Sequence, residues 1–500
     1  MFYLNVERIG DKIYERYIDD DGKEKDRWIE YSPCMFSNTE QKTKYKDIYG
    51  NYCEKRQFST MSEANNWKKE MQAVGLAPLG MDDFRLSYLS DSYKGNVNYD
   101  SRLVRVANCD IEVTGRKFPY PSEVLYEIDA ITHYDSIDDK FYVFDLLKSD
   151  YGTVRGWDKK LAALTEKEGG DEVPQEILDR VEYMSFDNER DLLLEYINLW
   201  EQKRPVIFTG WNIEGFDIPY IMNRVKKVLG GRHMKRFSPV GRVKSKVISD
   251  MYGGEKEIFS IDGVAILDYI DLYKKYSFTN QPSYSLDYVS YYETKKGKLK
   301  YDGPINKLRE NNHQRYISYN IIDVESVQGI DRNRGFIELC TSLSYYAKIS
   351  ISDVMSPVKL WDSIIFNSLK LQNKVIPENV RHNRDTYPGA FVKEPIPSAY
   401  RIVVSVDATS LYPSIMRQCN ISPETIVGNF DNYSIEDYIV RKAPKPSEYH
   451  SCTPNGILYT KEYKGIIPTE VEKVFFQRKE WKKKMMQAKK NLEIIEKYIS

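Results

Sequence analysis

Asp110 and Glu112 stand two residues apart in RVANCDIEVTG. On a strand, side chains of that spacing leave the same face about 6 to 7 Å apart along it, so the two carboxylates can share a cation. A D-x-E pair alone carries little weight, because most such pairs are simply solvated acids. Two later acids change that. Asp217 sits in GWNIEGFDIPY among Trp211, Phe216, Ile218 and Tyr220, surroundings in which a carboxylate needs a partner. Asp323 sits in YNIIDVE, and Tyr319 four residues earlier falls on the same helical face about one turn away, setting a hydroxyl beside a carboxylate. Four acids with an aromatic hydroxyl are what hydrolysis of a phosphodiester by paired Mg²⁺ or Mn²⁺ ions requires.

Such acids must be positioned by strands and helices, and the chain supplies both. Leu103 to Val113 reads as a buried strand, with further strands at Ala130 to Leu147 and Val206 to Thr209. Helices are expected at Glu189 to Glu201, after Ile218 and from His313 to Asp331. Strands and helices in alternation predict an α/β domain. Residues before about 104 alternate short apolar strands with turns around a helix near Met61 to Gly75, as in a small α+β domain. After a helix at Val358 to Gln372, Pro377, Pro388, Pro395 and Pro397 punctuate a connection that reads as a domain boundary. Tyr400 to Val406 is strand-like, and Val471 to Tyr498 has apolar residues at helical spacing over a basic face.

Composition bounds the class. At 500 residues the chain exceeds one core, so about three or four domains are expected. Hydrophobic residues at 41% and aromatics at 13% exclude global disorder. No window approaches the roughly 20 apolar residues of a membrane span, and MFYLNVERIG is no secretory signal, so a cytoplasmic protein with no membrane partner is expected. Cys34, Cys53, Cys109, Cys340, Cys419 and Cys452 form no CxxC pair, so neither zinc nor a disulfide framework is indicated. The net charge is -1, yet nine bases and no acid lie between Pro219 and Lys246, and a second basic cluster runs from Lys473 to Lys490 with Glu480 the one acid in it. Local fields of this kind attract phosphates, although about half of such runs are merely solvated faces.

The order D-x-E, N-x-x-x-F-D (Asn212 to Asp217) and Y-x-x-x-D (Tyr319 to Asp323) resembles the three motifs of the DnaQ-like proofreading exonucleases, which have an RNase H-like fold. The resemblance implies that Asp110, Glu112, Asp217 and Asp323 ligate metal, that Tyr319 orients the attacking water, and that Lys298 lines the site. Further on, DATSLYPSI resembles the first palm motif of the family B DNA polymerases. By that likeness Asp407 ligates metal, Ser410 and Leu411 offer the triphosphate their backbone, and Tyr412 stacks under the sugar. Arg478 and Lys482 in VFFQRKEWKKK, four apart on one helical face, resemble the cations of the fingers helix that hold the β and γ phosphates. TYPGAFV resembles the Y-x-G-A element, which implies that Tyr387 and Gly389 touch the template strand.

Stretches such as IDAITHYDSIDDKFYVFDLL and YDGPINKLRENNHQRYISYNIIDVESV extend the likeness to the family B polymerases of T-even-type bacteriophages across essentially all 500 residues. The fold expectation is thus a multidomain α/β protein. Its parts are an N-terminal domain at 1–104 completed by 336–378, a DnaQ-like 3′–5′ exonuclease domain at 105–335, a partial palm at 379–464 and the first fingers helix at 465–500. A hairpin turning at Gly253 and Gly254 is expected to help separate primer from template, with the basic stretch Arg224 to Lys246 near DNA. The implied partners are primer-template and single-stranded DNA, dNTP and two Mg²⁺ or Mn²⁺ ions per active site. The family's later palm motif and its K-x-x-x-N-S-x-Y-G motif are absent from the sequence, so synthesis is expected to need a C-terminal polymerase subunit of a split enzyme, or more chain. A sliding clamp would dock through that C-terminal part. The place of action would be the cytoplasm of an infected bacterial host. Two alternatives stand beside this: a free-standing 3′–5′ DNA exonuclease with an incomplete palm, and, ranked below it, an RNA-binding regulator.

Overall fold

The computed structural model describes residues 1–147, 156–159, 173–249, 255–299, 301, 303–378, 394–408, 410–430, 437, 440, 442 and 444–499. The chain forms two compact units, one of residues 1–32, 60–62 and 83–360, the other of residues 33–59, 63–82 and 361–500. No helix of the described residues is long and apolar enough to cross a membrane.

In the first unit, β1 (Phe2–Ile9), β2 (Lys12–Ile18) and β3 (Glu24–Glu30) make an antiparallel sheet in the order β1-β2-β3. In the second unit β4 (Cys34–Asn38), β5 (Tyr45–Asp47) and β6 (Tyr52–Gln57) join a later strand in a four-stranded sheet over Cys53, Leu79 and Val375. The helices α1 (Met61–Ala73) and α2 (Phe84–Ser92) follow.

A six-stranded sheet organises the rest of the first unit. It contains β7 (Val106–Glu112), β8 (Ala130–Asp135), β9 (Lys140–Leu146), β10 (Val181–Phe186), β11 (Ile207–Gly210) and, after the antiparallel hairpin of β12 (Val243–Ser249) and β13 (Glu255–Ile261), β14 (Ala265–Asp268). The order is β10-β9-β8-β7-β11-β14. β7, β8 and β9 form an antiparallel meander, while β11 runs parallel to both β7 and β14. Strand alternation divides the β7 side chains. Ala107, Cys109 and Ile111 enter a core with Leu193, Tyr196 and Trp200 of α3 (Glu189–Lys203) and Ile221 and Val225 of α4 (Asp217–Val228).

The opposite face packs through Ala130, Phe141 and Val143 against a long helix carrying Tyr316, Ile317, Ile321 and Val324. Before it come α5 (Tyr269–Tyr276), α6 (Leu286–Thr294) and α7 (Ile305–Asn311); the long helix itself, α8, spans His313–Arg334. Local chemistry fixes both its ends. The Asn312 side chain accepts from the Arg315 N–H, and Gly335 closes the helix at φ 64°, a left-handed conformation that costs glycine nothing. Arg16 of β2, fully buried, donates to the carbonyls of Arg204 (2.6 Å), Pro205 (3.1 Å) and Gly263 (3.3 Å), which ties the N-terminal sheet to the approach to β11. The helices α9 (Phe336–Ala347) and α10 (Pro357–Leu371) follow.

In the second unit β15 (Lys374–Val375) pairs with β5. α11 (Leu411–Cys419), the sheet β16-β18-β17 (Ile426–Asn429, Ile457–Thr460, His450–Cys452) and α12 (Ile466–Ile499) complete it. One expectation is corrected: Tyr400 to Val406 forms no strand, and Ile402, Val403, Val404 and Val406 are exposed. Strand geometry is held by ladder hydrogen bonds to a neighbour, and among the described residues no strand pairs with this segment.

Candidate active site

β7 and α8 bring three acids together. Oxygens of Asp110, Glu112 and Asp323 all lie within 4.8 Å of one another. Asp110 and Glu112 leave the β7 face opposite to that of Cys109 and Ile111, and α8 lies across that face. Asp217, at the first turn of α4, is buried but does not join that set of mutually close oxygens. Its carboxylate instead accepts from the Ile111 N–H at 3.0 Å, the backbone link between Asp110 and Glu112. Lys298 enters from the other side, donating through Nζ to the Tyr319 hydroxyl at 2.9 Å and to Asp323 Oδ2. Its ammonium also lies 4.9 Å from the Tyr319 ring centroid.

The electrostatics follow from crowding like charges away from water. Burial, then the charge of Asp323, push Asp110 up to about 7, against the pull of Lys298 and a hydrogen bond from Asn320. Burial, then Asp110 and Asp323, raise Glu112 well above the ordinary carboxylate range. Asp217 is raised by burial and by Asp110, with the Ile111 amide opposing. Burial also raises Asp323, and Lys298 restrains it most. Burial works against the charge on Lys298, but Asp323, Tyr319 and Asp110 outweigh it and the net shift is upward. Oδ1 of Asp323 is buried with no hydrogen-bond partner among the described residues. Three carboxylates, one of them with an unpartnered buried oxygen, make an all-oxygen donor set, the kind that hard divalent cations select.

Asp217 is held in place by residues that sequence reasoning missed. The loop from Trp211 to Phe216 is pinned by Asp268 at the end of β14, whose carboxylate accepts from the N–H groups of Asn212 (3.0 Å) and Glu214 (3.0 Å). Burial pushes Asp268 up to about 6, with Asp271 adding and the amide of Glu214 opposing. Gly210 ends β11 so close to β7 that a Cβ there would lie 2.5 Å from the Cys109 carbonyl. Asn320 was missed as well: it donates to Asp110 Oδ2 at 2.7 Å, and its position three residues before Asp323, on one helical face, was the available signal. Beside this loop the exposed ring of Phe118 lies 6.3 Å from that of Phe216.

The basic stretch from Arg224 to Lys246 is less free than its charge suggests. Arg224 is buried against Glu189, Arg236 pairs with Glu201, and Arg242 and Lys244 pair with Asp262. Gly253, Gly254, Tyr387 and Gly389 lie outside the described residues.

In the second unit Ser410 takes a left-handed conformation at φ 51° and opens α11. Its hydroxyl lies 3.5 Å from the Arg478 guanidinium of α12, so these two residues meet. Asp407, Leu411, Tyr412 and Lys482 are exposed. Arg417 of α11 bonds Glu472 of α12 and lies over the Phe475 ring, which sets the two helices against each other. NISPET clasps the base of α12. Asn420 accepts from the Gly465 N–H at 2.9 Å, Glu424 accepts from the Ile466 N–H at 2.6 Å, and the Ser422 hydroxyl from Ile467 at 3.4 Å. These bonds satisfy amides that a helix start leaves without partners.

Comparison with known proteins bears on both sites. The family model for the exonuclease domain of DNA polymerase family B matches residues 103–289, and the DNA polymerase family B model matches residues 358–497. The chain is 65% identical over 498 residues to the DNA-directed DNA polymerase of Enterobacteria phage T4, covering 100% of this chain and 55% of that protein. It is 58% identical over 497 residues to the DNA-directed DNA polymerase of Escherichia phage RB69, covering 99% of this chain and 55% of that protein. The DNA polymerase delta catalytic subunit of Arabidopsis thaliana is 28% identical over 335 residues, 63% of this chain and 29% of its own. The chain thus spans about half the length of the two phage relatives.

Proposed function

Because the chain belongs to DNA polymerase family B, we propose that it removes nucleotides from the 3′ ends of DNA and contributes part of a DNA-synthesising site. The observation that carries the first activity is the clustering of Asp110, Glu112 and Asp323 within 4.8 Å of one another. In this reading these acids and Asp217 hold two Mg²⁺ or Mn²⁺ ions. When bound, such ions supply an activated water and stabilise charge on the departing 3′ oxygen.

This chain's own residues do the rest. Tyr319, its hydroxyl engaged by Lys298 at 2.9 Å, orients the attacking water. Lys298 shares its charge between Tyr319 and Asp323, lowering the cost of holding the acids ionised. Phe118, exposed beside Phe216, offers a ring on which a terminal base can stack.

For synthesis, Asp407 serves as a metal ligand, and Ser410, Leu411, Tyr412, Arg478 and Lys482 receive the dNTP. The 3.5 Å approach of Ser410 and Arg478 supports the grouping of the last set. Tyr387, Gly389, Gly253 and Gly254 are the proposed contacts to DNA. A single metal-binding acid does not hold two ions for nucleotidyl transfer, so in this reading the missing acids come from a C-terminal polypeptide, either a second subunit or further chain, which would also dock a sliding clamp. The proposed organisation is an N-terminal domain at 1–104 with 336–378, an exonuclease domain at 105–335, a palm portion at 379–464 and a fingers helix from 465. The proposed setting is the cytoplasm of an infected bacterium.

Incubating 5′-labelled single-stranded DNA with the 500-residue chain, with and without Mg²⁺, tests the nuclease. Stepwise shortening that requires the ion and vanishes in Asp110→Ala and Asp323→Ala is expected; shortening that persists in either variant would sink the reading. Primer extension with and without the complementary polypeptide tests the synthetic half, and extension that never appears in the pair leaves only the exonuclease.

A further inference from the structure

We propose that Thr132 and Asn320 form a relay that sets the Asp110 carboxylate for cation binding, Asn320 as the positioning residue and Thr132 as the group that orients it. The inference rests on the reading of the Asp110 cluster as a divalent-cation site.

Three elements converge here. Thr132 of β8 is the cross-strand partner of Asp110 in the β7–β8 register. Its hydroxyl donates to Asn320 Oδ1 at 2.5 Å, and Asn320 Nδ2 donates to Asp110 Oδ2 at 2.7 Å. Thr132 and Asn320 are both fully buried, at 0% exposure, so water does not replace either bond. An ionised carboxylate only accepts, so the NH₂ must face Asp110, which turns the amide oxygen to Thr132 and makes its hydroxyl the donor. Turning the amide over would set its oxygen against a carboxylate oxygen, two acceptors with no hydrogen between them.

This fixed polarity has a chemical result. Oδ2 of Asp110 is committed to an N–H donor that holds the carboxylate's rotation, while no described residue hydrogen-bonds Oδ1. The acid therefore keeps one oxygen uncommitted among the described residues, and one of its oxygens lies within 4.8 Å of oxygens of Glu112 and Asp323, its partners in the cluster. Outer partners that orient a ligating group in this way commonly govern metal affinity as strongly as 10- to 100-fold.

The test measures Mn²⁺ binding to the 500-residue chain by the loss of the free-ion electron paramagnetic resonance signal. The Mg²⁺ concentration for half-maximal digestion of single-stranded DNA and thermal melts accompany it. Thr132→Val and Asn320→Ala are expected to weaken Mn²⁺ about 10-fold and to raise the Mg²⁺ requirement by a similar factor, with digestion recovering at saturating Mg²⁺. Thr132→Ser, which keeps the hydroxyl, should bind as the unaltered chain does. Wild-type Mn²⁺ affinity in Thr132→Val overturns the proposal. If that variant does not melt cooperatively, the same result in Asn320→Ala or Asn320→Ser overturns it. Asp110→Asn separates the two levels. If it keeps Mn²⁺ binding and digestion, the cation-site reading itself fails; if it loses both while Thr132→Val loses neither, only the relay fails.

Discussion

Holding Asp110, Glu112 and Asp323 within 4.8 Å of one another sets ionisation against folding whenever no cation neutralises them. The sign follows from linkage. Asp110 binds its proton up to about 7 in the folded chain and only to about 3.9 when unfolded, so its stabilising protonation is complete below about pH 4 and is lost as pH rises toward 7. In EDTA, Asp110→Asn should therefore melt above the unaltered chain by an amount that grows between pH 5 and pH 8, reaching on the order of 1 to 3 kcal/mol. Saturating Mg²⁺ should close that gap, and digestion should be absent from the variant throughout. A gap that stays constant with pH in paired melts would show that the acids are not in conflict. The spacing of Asp110 and Glu112 on a strand and of Tyr319 and Asp323 on a helix made those four readable, because period two and period four are properties of the local backbone. Asn320 and Asp268 were not readable in the same way. An amide has no unique task until its hydrogen-bond partners are known, and Asp268 meets Asn212 and Glu214 only because β14 pairs with β11 across the fold.

Two elements are fixed by very close approach, one beside the acids and one at the base of α12. β11 runs beside β7 up to Gly210, where a methyl group would meet the Cys109 carbonyl at 2.5 Å. Gly210→Ala must push the strand end away and carry the Asp217 loop with it. A displacement near 1 Å of a ligating group costs about 100-fold in rate, so digestion by Gly210→Ala is expected to fall by that order while the melt stays cooperative. Undiminished digestion would show that the loop absorbs the shift. The base of α12 has its own close approach, with a Cβ at Gly465 falling 2.5 Å from Ser422 Cβ. Gly465→Ala should destabilise the clasp by about 1 to 3 kcal/mol and speed amide exchange in the first turns of α12, measured by hydrogen exchange, with digestion unchanged. Helices were legible to within a few residues because their patterns are local: Val471 to Tyr498 gave the body of α12, although its start at Ile466 is set by contacts from NISPET. The segment Tyr400 to Val406 misled for the complementary reason, since alternating apolar residues specify a face but not the neighbour that must supply the ladder.

At the scale of the chain, the acid cluster and the Ser410–Arg478 contact belong to different compact units. The two proposed activities should therefore separate by mutation. Asp407→Ala is expected to digest single-stranded DNA at the unaltered rate and to abolish extension in the presence of the complementary polypeptide, whereas Asp323→Ala should do the reverse. Parallel gel assays of both reactions check this, and loss of digestion in Asp407→Ala would couple the units. The mixed α/β class was legible from alternating strand and helix patterns, while a pairing such as β15 with β5, more than three hundred positions apart, is not written in any local pattern, and the expectation that 336–378 joins the N-terminal residues came from the family resemblance alone. α12 adds a mechanical consequence. Its 34 residues make a rod about 51 Å long, exposed from Phe476 to Tyr498 and held near its base by Asn420, Ser422, Glu424 and Arg417, with Ser410 meeting Arg478 further along. A cantilever so clamped magnifies any rocking of its socket: ten degrees at the clamp swings the far tip through roughly 9 Å, several times the length of the hydrogen bonds that allow it.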